Sequence, residues 1–116
     1  MEFSVSLKQN YDFRRAYRKG RSAAEPCLVV YARRTRGRTN RVGYTVSSKL
    51  GCAVVRNRVR RRLREIYRLN ERRFCAGYDI VVVARGRSVS ADYRRLEREF
   101  LRAAAGLGLL KKEEEA

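Results

Sequence analysis

Apolar positions recur along this chain with two periods, and the switches between them mark the elements. From Ala53 to Arg73, winding at ~100° per residue puts Val55, Val59, Leu63 and Ile66 on one stripe, with Tyr67 at its edge. Asn57, Arg60, Arg61, Arg64 and Arg68 gather on the opposite face, so this stretch predicts an amphipathic helix. Two shorter helices flank it in sequence. Asn10 is a candidate N-cap for Tyr11 to Lys19, where Phe13, Ala16 and Tyr17 recur at i, i+3 and i+4 before Gly20 ends the run. Ser90 is the candidate cap of the last helix, whose stripe is Tyr93, Leu96, Phe100, Ala103 and Leu107, with Gly106 and Gly108 weakening its end.

Between the helices the period falls to two. Arg21 to Glu25 reads as a short strand before Pro26, and Cys27 to Ala32 as a β-branched strand. Alternation places Cys27, Val29 and Tyr31 on one face of it and Leu28, Val30 and Ala32 on the other. Arg41 to Ser47 sets Val42, Tyr44 and Val46 against the small residues Gly43, Thr45 and Ser47, a face with room for a ligand or a covering helix. Tyr78 to Arg85 is apolar on both faces, as a central strand requires. Met1 to Lys8 reads as an extended arm and Lys111 to Ala116 as a frayed tail. The order αβββαβα predicts one α+β domain, a four-stranded sheet packed with helices, with an ordered core over about 4–108.

Charge changes the picture. The chain of 116 residues is 44% hydrophobic, enough for a core, yet carries a net charge of +17. Residues 91–116 hold equal numbers of acids and bases, so the excess belongs to the body of the domain. Nine arginines fall between Arg56 and Arg73 against only Glu65 and Glu71. A solvated face of mixed charge would not concentrate one sign, because like charges at i and i+4 repel. Arginine forks match phosphate oxygens bidentately. A row such as Arg56, Arg60, Arg64 and Arg68 rises by roughly 6 Å per step, near the spacing of backbone phosphates. The partner expected is a nucleic acid.

Other classes lose ground for lack of chemistry. There is no histidine, and the six acids before residue 91 (Glu2, Asp12, Glu25, Glu65, Glu71 and Asp79) are scattered singly, with no clustered carboxylates for metal-assisted hydrolysis. Cys27, Cys52 and Cys75 fit neither a disulfide framework nor a zinc knuckle, and read as small fillers in a reducing cytoplasm. The longest aliphatic run, Ile80 to Ala84, is far short of a membrane span. Ser47 to Gly51 reads as a binding loop. A DNA major-groove reader would want a helix-turn-helix partner or a dimerising heptad, and neither is present. A small rRNA-binding ribosomal protein fits the composition as well as any RNA-processing subunit does.

The run Leu50-Gly51-Cys52-Ala53-Val54-Val55-Arg56-Asn57-Arg58-Val59-Arg60-Arg61-Arg62-Leu63-Arg64 resembles the Arg-Asn-Arg signature of the bacterial ribonuclease P protein family. Asn10 to Gly20 is similar to that family's first helix, an Asp-Phe pair followed by a second aromatic and a glycine. The resemblance covers about residues 4–105. It implies a left-handed βαβ crossover through the arginine helix, where the general rule would favour a right-handed one, in a fold like the second domain of a small-subunit ribosomal protein. It also implies a function. The RNA subunit, using Mg2+, removes the 5′ leader of precursor tRNA, while the protein, with no catalytic residue, bound metal or cofactor of its own, docks on that RNA and holds the leader.

Two surfaces follow from carrying the signature over. Arg56, Asn57, Arg58, Arg60, Arg61 and Arg64 would face the RNA subunit, with Arg68 continuing the row. Arg56 should lean over the sheet edge, and Asn57 serves either to lock the preceding loop or to touch RNA. The second surface would be a cleft lined by Phe13, Tyr17, Tyr31 and Tyr44 and rimmed by Lys49 and Arg85, since aromatic platforms beside cations grip single strands of varied sequence. Ser48 stands where the family often has another basic residue. The expected partners are the RNA subunit and precursor tRNA, in the cytoplasm, with neither membrane nor DNA.

Overall fold

The structure, a computed structural model, describes the backbone of residues 4–6 and 10–12 and all of residues 13–111. Its centre is a mixed sheet in the order β1-β4-β5-β3-β2, built from β1 (Ser4–Ser6), β2 (Arg21–Ala24), β3 (Leu28–Arg34), β4 (Asn40–Thr45) and β5 (Tyr78–Ala84). The helices are α1 (Asn10–Lys19), α2 (Ala53–Asn70) and α3 (Tyr93–Gly106). The predicted four strands and three helices are present in the predicted order. To them the N-terminal arm adds a three-residue edge strand, β1, parallel to β4. The rest of that arm, and residues 112–116 of the expected tail, lie outside the described residues. Lys111 does not fray: its N–H donates to the Arg73 carbonyl at 2.8 Å.

β5 occupies the middle of the sheet, between parallel β4 and antiparallel β3. Both of its faces are therefore covered, as its unbroken apolar run demanded. Leu28, Val30, Val42, Ile80 and Val82 project to one face, where Val59, Leu63, Ile66 and Tyr67 of α2 and Leu96, Phe100 and Ala103 of α3 close the main core. Each such side chain contributes about 1.5–3 kcal/mol by leaving water. Tyr67, placed at the stripe's edge by sequence, is fully buried because Asn40 Nδ2 donates to its hydroxyl at 3.2 Å.

The other face carries only α1, through a small cluster in which Ala16 and Val81 are buried and Phe13, Tyr31 and Val83 pack around them. The helix stops where a glycine is obligatory, since a Cβ on Gly20 would lie 2.4 Å from the Ala16 carbonyl oxygen and 2.7 Å from that of Ala32. Past α1 on this face, Asp79 is buried and accepts two bonds from Arg41, at 2.8 and 2.7 Å, with Arg33 at 3.6 Å.

The cap of α3 differs from expectation. A 3-10 turn, Gly86–Val89, follows β5 and carries the chain past Ser90. The helix starts instead after Asp92, whose carboxylate accepts the Arg95 N–H at 2.8 Å.

Candidate nucleic-acid interface

The sequence at the end of β4 makes the approach to α2 rigid. Ser47 Oγ accepts the Lys49 N–H at 3.2 Å and caps a 3-10 turn, Ser48–Leu50. Gly51 then takes φ 146°, a conformation that side chains resist, and Arg56 Nε reaches back to the Gly51 carbonyl at 3.1 Å. Arg56, expected to lean over the sheet edge, is thus a latch on the turn. Asn57 does not lock the loop; its Oδ1 accepts from Arg60 Nη1 at 2.9 Å, which orients that arginine.

The arginines of α2 separate into three groups by what holds them. Arg58 and Arg62 lean toward α3 and bond the carbonyls of Val89, at 3.4 Å, and Ala91, at 3.1 Å. Arg68 is bidentate to Glu65, at 3.0 and 2.5 Å, so the last residue of the expected row is already neutralised. That contact holds the Glu65 carboxyl below its usual range. Arg61 and Arg64 are exposed and make no hydrogen bond or ion pair among the described residues, leaving two free guanidinium groups midway along the ridge.

A groove of about 650 Å³ opens at the margin of the sheet, walled by Phe13, Arg14, Tyr17, Tyr44, Thr45, Val46 and Arg60. Its position follows from strand lengths. β1 pairs with β4 only at Asn40, Arg41 and Val42, so among the described residues the β4 edge beyond Val42 is left to α1 above and α2 below. The small residues of β4 make the space, because Gly43 and Thr45 share the α1 face with Val81 and Val83. Tyr17 is fixed in the wall by its hydroxyl, 2.9 Å from Thr45 Oγ1, and by an edge-on contact with Tyr31 at 4.9 Å.

The four expected aromatics are thus not one platform. Phe13 and Tyr17 line the groove, whereas Tyr31 stands behind Tyr17 as its support. Tyr44 reaches the groove from the opposite face of the sheet, because the pleat that turns Thr45 toward α1 turns Tyr44 toward α2. Its hydroxyl is buried with no hydrogen-bond partner, and burial pushes its pKa well up, with Tyr67 adding and Arg64 opposing. Lys49 and Arg85 are not in the groove wall. They sit past the carboxyl ends of β4 and β5, where Arg85 Nη1 donates to the Glu25 carbonyl at 3.2 Å.

Sequence reasoning missed the double position of Arg60, which lines the groove while lying on the arginine helix. Its half-burial beside buried Val59 was legible only once α2 was laid against β4. Cys52 is also misplaced by the filler reading: it is exposed at the N-cap of α2, where the Val55 and Val54 N–H groups draw its thiol pKa down.

Every carboxylate among the described side chains is already engaged. Asp79 is held by Arg41, Glu99 by Arg95, Glu25 by Arg102, Glu65 by Arg68 and Glu97 by Asn70; Asp92 caps α3, and Glu71 also has a partner. Such a surface can bind anions and stack bases, but it presents no idle acid to serve as a base in hydrolysis.

A family model described as Ribonuclease P matches residues 1–108. The chain is 44% identical over 108 residues to the ribonuclease P protein component of Natranaerobius thermophilus, covering 93% of this chain and 94% of that one. It is 42% identical over 104 residues to that of Alkaliphilus oremlandii, covering 90% and 91%. Among solved structures it is similar to the RNase P protein of Staphylococcus aureus, with TM-score 0.85, 30% identity and coverage of 92% and 98%. It is also similar to that of Thermotoga maritima, with TM-score 0.77, 30% identity and coverage of 84% and 92%.

Proposed function

The chain belongs to the ribonuclease P protein family, and on that premise we propose that it docks on the catalytic RNA through α2 while holding the precursor-tRNA leader in the groove. Family membership makes it a component of an RNA-processing endoribonuclease and favours that role over a small ribosomal protein. The division of labour is our reading. Magnesium-assisted hydrolysis belongs to the RNA, and the protein contributes binding and orientation.

The observation that carries the reading is the adjacency of two unlike surfaces. Free guanidinium groups at Arg61 and Arg64 suit phosphates of a folded RNA. One turn away, Arg60 shares a groove with Phe13, Tyr17 and Tyr44. Aromatic faces accept any base, which suits a leader of varied sequence, and each stacked base contributes about 1–3 kcal/mol. Arg60 touches both surfaces, so a leader in the groove and an RNA on the ridge share one cation between them.

Precursor-tRNA cleavage by the cognate RNA subunit at low magnesium tests the reading. Added protein should raise the rate and lower the magnesium required. No stimulation would refute it.

A further inference from the structure

At the other end of the domain, away from the groove, lies a second cavity of about 460 Å³. Its floor is Tyr67 and Phe74, both buried, with the amide of Asn40 beside them, and its rim is cationic: Arg38, Arg72 and Lys111. Nothing in the proposed RNA-processing role uses it. Glu71, the one carboxylate in the lining, is buried and already engaged within the molecule.

The chain itself is led to this cavity. Leu110 pairs with Phe74 in an antiparallel bridge, and the Lys111 N–H bonds the Arg73 carbonyl at 2.8 Å, which sets the backbone of Lys111 at the cavity wall. The residues that follow are Lys112, then Glu113, Glu114, Glu115 and Ala116. They span at most ~16 Å when extended, so the glutamates cannot travel far from the rim. Three successive acids tethered beside three cations have an effective concentration in the millimolar range or above, beyond what a free anion reaches.

We propose that Glu113 to Glu115 dock on the Arg38–Arg72 rim of this cavity and act as a built-in polyanion that competes with RNA for this end of the basic surface. The inference goes beyond the RNA-processing role, and its docking part needs no RNA. The acids shield the rim in the free protein and yield it to phosphates, which are held more strongly where several line up along one strand. At low ionic strength the contact is strongest, and salt weakens it.

The test compares the full chain with its E113Q/E114Q/E115Q variant, which leaves the folded core untouched. In amide NMR spectra at low salt, the resonances of Asn40, Phe74 and Ala76 should move on neutralising the three acids, while those of Thr45 and Val46 in the distant groove stay fixed. Arg38→Gln should abolish that difference. The triple variant should also bind a short single-stranded RNA on the order of threefold more tightly at low salt, as weak surface charge contacts allow. Cavity amides identical in the two chains would overturn the docking, and cavity amides that respond to the RNA alone would assign the cavity to RNA instead. Moved amides with unchanged RNA affinity would overturn the competition while leaving the docking established.

Discussion

Arg56 Nε donates to the Gly51 carbonyl at 3.1 Å, so the first arginine of the ridge also closes the turn that leads into its own helix. Replacing it with alanine should therefore cost stability as well as charge. We expect Arg56→Ala to lower unfolding free energy by about 1 kcal/mol, the usual net worth of such a bond, read from the urea midpoint with an unchanged slope. A change no larger than that of Arg61→Ala, whose side chain touches nothing, would refute the latch.

The same arginines should differ in how they bind RNA. Arg61 and Arg64 are unpaired, whereas Arg68 is clamped by Glu65. Neutralising Arg61 and Arg64 together should reduce the slope of log affinity against log salt by about two, close to one per lost phosphate contact. Arg68→Ala should change that slope little, since the pair it breaks is nearly neutral. Equal effects from all three would mean that RNA strips Glu65 from Arg68.

Within the groove, Phe13→Ala should weaken precursor tRNA relative to mature tRNA by roughly tenfold, the loss of one stacking platform. Tyr31→Ala should do the same indirectly, because its ring stands 4.9 Å from that of Tyr17 and keeps it in the wall. Tyr17→Phe keeps the ring and loses only the Thr45 contact, so its effect should be smaller than either. Equal losses for precursor and mature tRNA, measured side by side at one salt concentration, would dismiss the groove as the leader site.

How far these sites were legible follows from the range of the interactions that build them. The α2 stripe, the central position of β5 and the apolar face of α1 were readable because each depends on periodicity within one segment. Ser4–Ser6 was not, since three residues paired parallel to β4 carry no pattern of their own. The cap at Asp92 was missed because the intervening 3-10 turn depends on how Ser88 bonds the Arg85 carbonyl, at 2.7 Å. Tyr31 and Tyr44 were assigned to one cleft although their own alternation, combined with strand pairing, sends them to opposite faces. The partners that decide Arg58, Arg62 and Arg68 lie on another element or one turn away, so their sequence neighbours alone could not separate them from Arg61 and Arg64.

Asp79 tests the core from the sheet side. It is buried between Arg41, which holds it bidentately, and Arg33, so Asp79→Asn leaves two arginines facing a neutral amide. Breaking a fully buried pair costs about 3–5 kcal/mol; with both arginines partly in water, a loss of about 2 kcal/mol is expected. Urea unfolding checks it. A loss below 0.5 kcal/mol, the scale of a plain surface change, would mean that the trio is solvated in solution.

Glu99 gives the pH dependence. Burial alone would raise its pKa, but the Cys27 N–H at 2.7 Å and the Arg95 guanidinium at 2.9 Å, with the Cys27 thiol, outweigh burial and hold it below the ordinary carboxylate value. A folded-state pKa below the unfolded one means that the unfolded chain binds the proton first. The stabilisation is therefore complete above the unfolded carboxylate pKa, about 4.3, and is lost as pH falls from there through the folded value. Glu99→Gln removes that titration while leaving the side chain's volume. The variant should be less stable at pH 7 by about 2 kcal/mol, since Arg95 is partly exposed and the pair is worth less than a fully buried one. As the solution is acidified through the carboxylate range, the gap between the two chains should close, because the wild-type carboxyl becomes protonated and neutral like the amide. Urea midpoints of both proteins across that range measure it, and a gap that stays constant would show that Glu99 does not carry the acid limb.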